Sequence, residues 1–122
     1  MLVTPIKRID ADGQVVRLTL GHLYEVLGIE ADYFRVLTDP DDPNYPNDPV
    51  LYPPDCFKVI DSAEPPFWIV KRADNVRYAY PPEWNRPGYF EDYHEGVKSV
   101  RDEFWERLRQ LYPRTWNERR AA

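Results

Sequence analysis

The sequence predicts an α+β fold that is mainly β, and three observations predict it. Strand-like apolar runs fill residues 21–61, a second hairpin pattern follows at 67–80, and a helical period begins at Val97. We expect a single domain, because domains cluster near about 100–150 residues and the chain has 122. Its expected parts are a strand-rich core (1–61), a hairpin and connector (62–96), a helix (97–112) and a tail (113–122).

The central stretch, residues 21–61, contains four apolar runs. The run Leu23–Ile29 and the run Tyr33–Leu37 are separated by three small or polar residues, a spacing that predicts a hairpin. The run Val50–Tyr52 is broken by Pro53-Pro54 and resumes at Phe57–Ile60. Because proline cannot donate to a strand ladder, the break predicts a turn between two strands.

This order resembles the SH3-like barrel superfamily. Its members enter a strand through a Gly-x-x-Tyr-x-Val-like segment, matched here by Gly21, Tyr24 and Val26, and a single-turn helix interrupts their last two strands, matched by Pro53-Pro54-Asp55-Cys56. The resemblance implies a small barrel, to which the chain adds a hairpin and a C-terminal amphipathic helix.

The chain is also similar to small uncharacterised bacterial proteins with a barrel and a carboxy-terminal extension, and this similarity implies no activity. The Ala-Leu-Tyr-Asp-Tyr segment and paired tryptophans of the peptide-binding eukaryotic branch do not occur, so a proline-peptide groove is not expected.

Residues 1–20 contain two candidate strands, Val3–Ile9 and Gln14–Leu20, joined by Asp10-Ala11-Asp12-Gly13. Asp-Gly between apolar runs is a hairpin signal. Either both strands complete the barrel, or residues 14–20 are an irregular lead-in to Gly21.

A second hairpin is predicted from Phe67–Arg72 and Val76–Tyr80 around Ala73-Asp74-Asn75, since apolar and polar residues alternate in the second arm. Tyr80-Pro81-Pro82-Glu83 repeats the pattern of Tyr52-Pro53-Pro54-Asp55. Both segments predict a strand that ends in a proline-started turn, because proline suits the first helical position.

The C-terminal helix is predicted from one apolar stripe, bracketed by Gly96 and Pro113. The stripe contains Val97, Val100, Phe104, Leu108 and Leu111, which recur at helical spacing. We expect it to pack on the barrel or on the second hairpin, with a partner protein as the alternative. The tail Arg114–Ala122 is expected to fray.

Composition and charge limit the function. A 43% hydrophobic chain with one cysteine, Cys56, and no long apolar run predicts a soluble cytoplasmic protein with a core, no disulfide and no membrane segment. The net charge is −5, and residues 1–96 carry seventeen acidic and nine basic side chains. Because nucleic-acid binders neutralise phosphates, we expect no nucleic-acid partner.

Two acidic segments are candidate cation or acid–base sites. Residues 39–49, DPDDPNYPNDP, offer oxygen ligands for calcium but lack the glycine and the final glutamate of an EF-hand loop. Glu91, Asp92, His94 and Glu95 offer a carboxylate–histidine cluster, but zinc needs at least three ligands and the other histidine, His22, lies in the barrel segment. We expect a rigid surface loop, a helix start, and no metal, cofactor or catalytic residue.

The function predicted from these observations is a non-enzymatic protein–protein interaction module. Its candidate partner-binding residues are four aromatic side chains that we expect to be exposed: Tyr45, Tyr52, Trp84 and Tyr89. The alternatives are an immunity-type protein that neutralises a basic toxin and a metal-dependent enzyme that uses the Glu91–Glu95 cluster. Cys56 lies beside Asp55, which favours a buried thiol over a reactive one.

Overall fold

The computed structural model describes residues 1–120 and contains two antiparallel sheets and three helices. The predicted α+β class, mainly β and with a C-terminal helix, is confirmed. The first sheet has the strand order β2-β1-β6, with β1 at Leu2–Pro5, β2 at Tyr24–Glu25 and β6 at Phe57–Asp61. The second has the order β5-β4-β3-β8-β7, with β3 at Gly28–Glu30, β4 at Tyr33–Leu37, β5 at Pro49–Tyr52, β7 at Ile69–Ala73 and β8 at Val76–Tyr80.

The run predicted as one strand, Leu23–Ile29, is divided between the two sheets. Val26 and Leu27 lie buried at the corner, where the Val26 amide donates to the carbonyl of Met1 at 3.0 Å and the Leu27 amide to the carbonyl of Arg35 at 2.8 Å. One chain segment therefore serves both sheets, as in small orthogonal β-folds. Membership of the SH3-like barrel superfamily stays a prediction.

The N-terminal segment follows the second of the two alternatives. Only β1 joins a sheet, a single bridge links Ile9 to Val15, and residues 14–20 are otherwise irregular. Tyrosine hydroxyls take the place of a strand partner there: the Arg17 amide donates to Tyr52 Oη at 3.3 Å, and the Thr19 amide donates to Tyr24 Oη at 2.8 Å.

Both predicted hairpins are present, and each closes with a two-residue turn. The central residues Ala31 and Asp32 in one turn, and Asp74 and Asn75 in the other, all have positive φ. Two such residues make a type I′ turn, whose twist matches that of the strands. The second hairpin continues the sheet of the first, since Ile29 of β3 pairs with Ala79 of β8.

Both Tyr-Pro-Pro segments behave as predicted. A single 3₁₀ turn follows β5 at Pro54–Cys56, and another follows β8 at Pro82–Trp84. Cys56 is fully buried, and burial, with the neighbouring Asp55 carboxylate, raises the pKa of its thiol.

The helices are α1 (Tyr89–His94), α2 (Lys98–Leu111) and α3 (Pro113–Arg120). The predicted helix 97–112 is confirmed as α2, and its stripe packs on an aromatic cluster rather than facing a partner. Phe104 is fully buried, with its ring 4.7 Å from that of Trp84. Tyr112, just after α2, ties this layer to the sheets because its hydroxyl donates to the Leu27 carbonyl at 2.6 Å.

The prediction of a frayed tail was wrong for residues 114–120, and residues 121–122 lie outside the described part. Pro113 starts α3, and the helix docks through buried polar side chains. The Thr115 amide and hydroxyl both donate to Glu25 Oε1 at 2.8 Å. A polar helix with no apolar stripe is thus fixed by hydrogen bonds that periodicity cannot reveal. No helix within residues 1–120 is long and apolar enough to cross a bilayer.

Candidate functional site

The acidic loop, residues 39–49, connects β4 to β5 and is held in one conformation by its own residues. The Asp42 carboxylate accepts the backbone amides of Asn44 at 3.2 Å and Tyr45 at 2.8 Å. Partial burial opposes ionisation of Asp42, but these two hydrogen bonds and the Arg17 guanidinium at 3.2 Å lower its pKa. The carboxylate is therefore charged at neutral pH and organises the turn that presents Tyr45.

Thr38, the residue before the loop, closes the loop from inside. Its buried hydroxyl donates to the Tyr45 carbonyl and accepts the Asp48 amide at 2.8 Å. The Thr38 amide donates to the Asp48 carbonyl at 2.9 Å. Both ends of the loop are therefore joined through one threonine.

Arg119 of α3 fastens the same loop to the helical layer. Its side chain is only 7% exposed, and its guanidinium donates to the Thr38 carbonyl, to Asn47 Oδ1 at 2.9 Å and to the Leu37 carbonyl at 3.2 Å. Burial lowers the pKa of this arginine. A buried cation that donates to three acceptors 72 to 82 residues away in sequence makes the loop part of the tertiary structure.

The acids of the loop differ in their partners. Asp39 accepts from the hydroxyls of Thr19 and Tyr24, and Asp48 lies 3.0 Å from His94 Nε2. Asp41 is exposed and has no hydrogen bond or ion pair with any other residue in 1–120. The loop thus presents negative charge to solvent, although several of its carboxylates also form hydrogen bonds that hold the loop in place.

Tyr45 is the one predicted partner-binding residue whose ring faces solvent. It is 53% exposed, and the Arg17 guanidinium lies 4.8 Å from the centre of its ring. Beside it is a cleft of about 390 Å³, lined by Tyr45, Pro46, Asn47, Asp48, Tyr93, His94 and Arg101. An exposed ring next to a cleft is typical of an interface anchor and its neighbouring pocket.

The other three candidates, Tyr52, Trp84 and Tyr89, lie in the core. Tyr52 is 4% exposed, and burial raises its pKa to about 12, while its hydroxyl receives the Arg17 amide. Trp84 stacks on Phe104, and the Tyr89 hydroxyl donates to Glu103 Oε1 at 2.8 Å. The prediction that these three rings are exposed partner-binding residues was wrong. In the structure, all three rings point into the core.

A larger cavity, of about 510 Å³, lies between β8 and α1 and includes Trp84 and Tyr89 on its wall. Arg35 and Glu30 on this wall form an ion pair. The buried Arg35 guanidinium donates to Glu30 Oε1 at 3.0 Å, to Tyr80 Oη at 2.9 Å and to the Pro49 carbonyl at 2.9 Å, and it stacks on Phe90 at 3.9 Å. Arg35, Thr38 and Arg119 were missed from the sequence, which carries no local signal that a polar residue is buried.

The Glu91–Glu95 segment forms α1, a short helix whose polar groups point to different partners. Asp92 pairs with Arg86 at 3.0 Å, and His94 pairs with Asp48 across to the acidic loop. In the described part of the chain, no three His, Cys, Asp or Glu side chains meet closely enough to hold a metal ion.

Comparison with known proteins adds no family assignment. No family model matches the chain, and neither the curated proteins nor the solved structures gave a match.

Proposed function

We propose that the protein is a non-enzymatic protein–protein interaction module that binds a basic surface of its partner through the acidic loop. The observation that carries the proposal is Tyr45, which is exposed on a loop that Thr38, Arg17 and Arg119 hold in place. A loop that is already ordered loses little conformational entropy on binding, so more of its contact energy is available for affinity.

The chemistry of the loop indicates the charge of the partner. Four carboxylates lie among its eleven residues, which contain no basic residue. A positive patch on the partner would be attracted at long range and would fix the orientation of docking. The cleft beside Tyr45 has room for a partner side chain. Asp48 on its wall already contacts His94, and Arg101 lies on the same wall, so the preference for a basic partner rests on the loop carboxylates and not on the cleft.

The test is a quantitative pull-down from the native cell with wild-type protein and two variants. Tyr45→Ala removes the proposed anchor, whereas Tyr33→Ala removes a ring of similar exposure at the β3–β4 turn. We expect a basic partner to be retained by wild type and Tyr33→Ala and lost with Tyr45→Ala. A hot-spot loss of about 2 kcal/mol corresponds to about 30-fold in affinity.

Two results would overturn the proposal: partners that are retained equally by both variants, or a Tyr45-dependent partner whose binding does not weaken at high salt. Salt screens exposed charges, so an acidic–basic interface must weaken as ionic strength rises. A basic toxin as the retained partner would make the protein an immunity-type member of this class.

A further inference from the structure

We propose that the free edge of β7 binds an extended acidic segment of a partner, which adds a sixth strand to the five-stranded sheet. This surface is separate from the acidic loop and opposite in charge, and the inference does not depend on the proposed function. Strand addition of this kind uses backbone hydrogen bonds for affinity and side-chain contacts for specificity.

The first observation is the position of β7 in its sheet. It is the last strand in the order β5-β4-β3-β8-β7 and pairs with β8 alone. All five of its residues are exposed, and none of their side chains makes a hydrogen bond to residues 1–120. The edge is therefore uncovered by the described part of the chain.

The hairpin register shows which backbone groups point outward. A two-residue turn makes the flanking pair Ala73–Val76 hydrogen-bonded, and the pattern then alternates along an antiparallel ladder. Lys71 thus bonds to Tyr78 of β8, whereas the N–H and C=O groups of Val70 and Arg72 point away from β8. These two residues offer four backbone groups to an incoming strand.

The exposed side chains define the kind of strand that fits. Ile69 is 45% and Val70 is 49% exposed, so an incoming strand could cover apolar surface on both faces of the sheet. Lys71 and Arg72 follow, and neither forms an ion pair within residues 1–120. Residues 69–75 carry two bases and one acid, Asp74, in a chain with a net charge of −5. A segment with two apolar and two acidic residues side by side complements this edge.

The same charges argue against a second copy of the chain as the occupant. Antiparallel self-pairing about the centre of β7 would place Lys71 opposite Lys71 of the other copy, and like charges directly opposite are destabilising. Lysine on an edge strand is a known device against pairing of identical edges. In this register the lysines disfavour a second copy, whereas an acidic strand is attracted to the same edge.

The test uses ¹⁵N-labelled full-length protein and capped octapeptides that contain two adjacent glutamates beside two adjacent valines, in both orders. Matched control peptides replace the glutamates with lysines. We expect the glutamate peptide in at least one order to shift resonances of β7 and β8 and to slow amide exchange at Val70 and Arg72. The exchange rate of the Lys71 amide, which is already bonded to β8, should change little.

Two variants connect the binding to this edge. Val70→Pro removes one outward N–H without removing a bond to β8, since proline is tolerated on edge strands, and should weaken binding at least tenfold. The double variant K71E/R72E should reverse the preference, so that the lysine peptide binds better. This second variant keeps the test decisive if the proline variant fails to fold.

Several outcomes would overturn the inference. No binding of either glutamate peptide at about 1 mM, equal binding of the lysine peptides, or shifts centred elsewhere would each refute the acidic strand. A dimer seen by sedimentation that Val70→Pro dissociates would assign the edge to a second copy instead.

Discussion

The acidic loop and the β7–β8 hairpin are both exposed connections, but they are held in different ways. The loop is fastened by side chains from distant parts of the chain, with Thr38 inside it, Arg17 at one flank and Arg119 of α3 beneath. Within the hairpin, the edge strand β7 is held by the turn and by pairing with β8 alone. The loop therefore presents a fixed surface of side chains, whereas β7 presents unpaired backbone.

The difference suggests two modes of recognition in one small protein. A fixed loop is suited to a partner whose surface is already shaped, because neither side must reorganise. An open edge is suited to an extended segment that gains its order on binding. The predictions that follow separate the two regions by breaking the support of one and leaving the other in place.

The largest effect on stability is expected from a substitution in the helical layer. This layer packs against α3, and α3 in turn is tied to the loop. Phe104→Ala removes a fully buried ring that stacks on Trp84, and should lower the free energy of unfolding by about 3–5 kcal/mol. Urea unfolding should show a lower midpoint with little change in slope. Val97→Ala, at the exposed start of the same stripe, is the control. An unchanged midpoint for Phe104→Ala would contradict the packing described for α2.

A smaller loss is expected when the link between α3 and the loop is cut. Arg119→Met keeps the apolar stem but leaves the carbonyls of Leu37 and Thr38 without their donor, at a cost of about 2–3 kcal/mol. Arg120→Met, on the exposed side of α3, should change stability by less than about 0.5 kcal/mol. Amide exchange should accelerate in residues 39–49 and stay constant in β7 and β8. Equal acceleration in both regions would show that the loop does not depend on Arg119 in particular.

Two threonines whose hydroxyls are buried allow the same substitution to be compared with and without a hydrogen-bonded hydroxyl. Thr38→Val removes a hydroxyl that bridges the Tyr45 carbonyl and the Asp48 amide, and should cost about 1–2 kcal/mol. The Thr4 hydroxyl is also buried but has no hydrogen-bond partner among residues 1–120, so Thr4→Val should be neutral or stabilising. Thermal unfolding of the two variants compares the same substitution with and without a role in the loop. A loss for Thr4→Val as large as that for Thr38→Val would refute the bridge.

The elements that the sequence predicted correctly are those with a local signal. Helix α2 follows from the spacing of Val100, Phe104 and Leu108, and both 3₁₀ turns follow from Tyr-Pro-Pro. The β3–β4 turn was placed without any glycine, from the short gap between two apolar runs. In each case, nearby residues are sufficient to specify the backbone.

What could not be predicted depends on contacts between distant residues. Nothing near Arg119 distinguishes it from the exposed Arg120, and its burial follows only from where α3 meets the end of β4. Trp84 was predicted to be an exposed partner-binding residue, yet the 3₁₀ turn directs its ring into the core. Of the candidate site, only Tyr45 and the acidic loop were predicted from the sequence. The composition of a loop indicates that it is exposed, but it does not indicate which distant residues hold the loop in place.

Residue-resolved hydrogen exchange of the free protein tests the central claim most directly, since it reports the loop and the edge in one experiment. The Asp48 amide, bonded to Thr38 Oγ1, and the Thr38 amide, bonded to the Asp48 carbonyl, should exchange slowly. The amides of Val70 and Arg72 should exchange fast, and Lys71 between them should be protected by β8. Fast exchange at Thr38 and Asp48 together with protection at Val70 and Arg72 would contradict the account, because the loop would then be loose and the edge already covered.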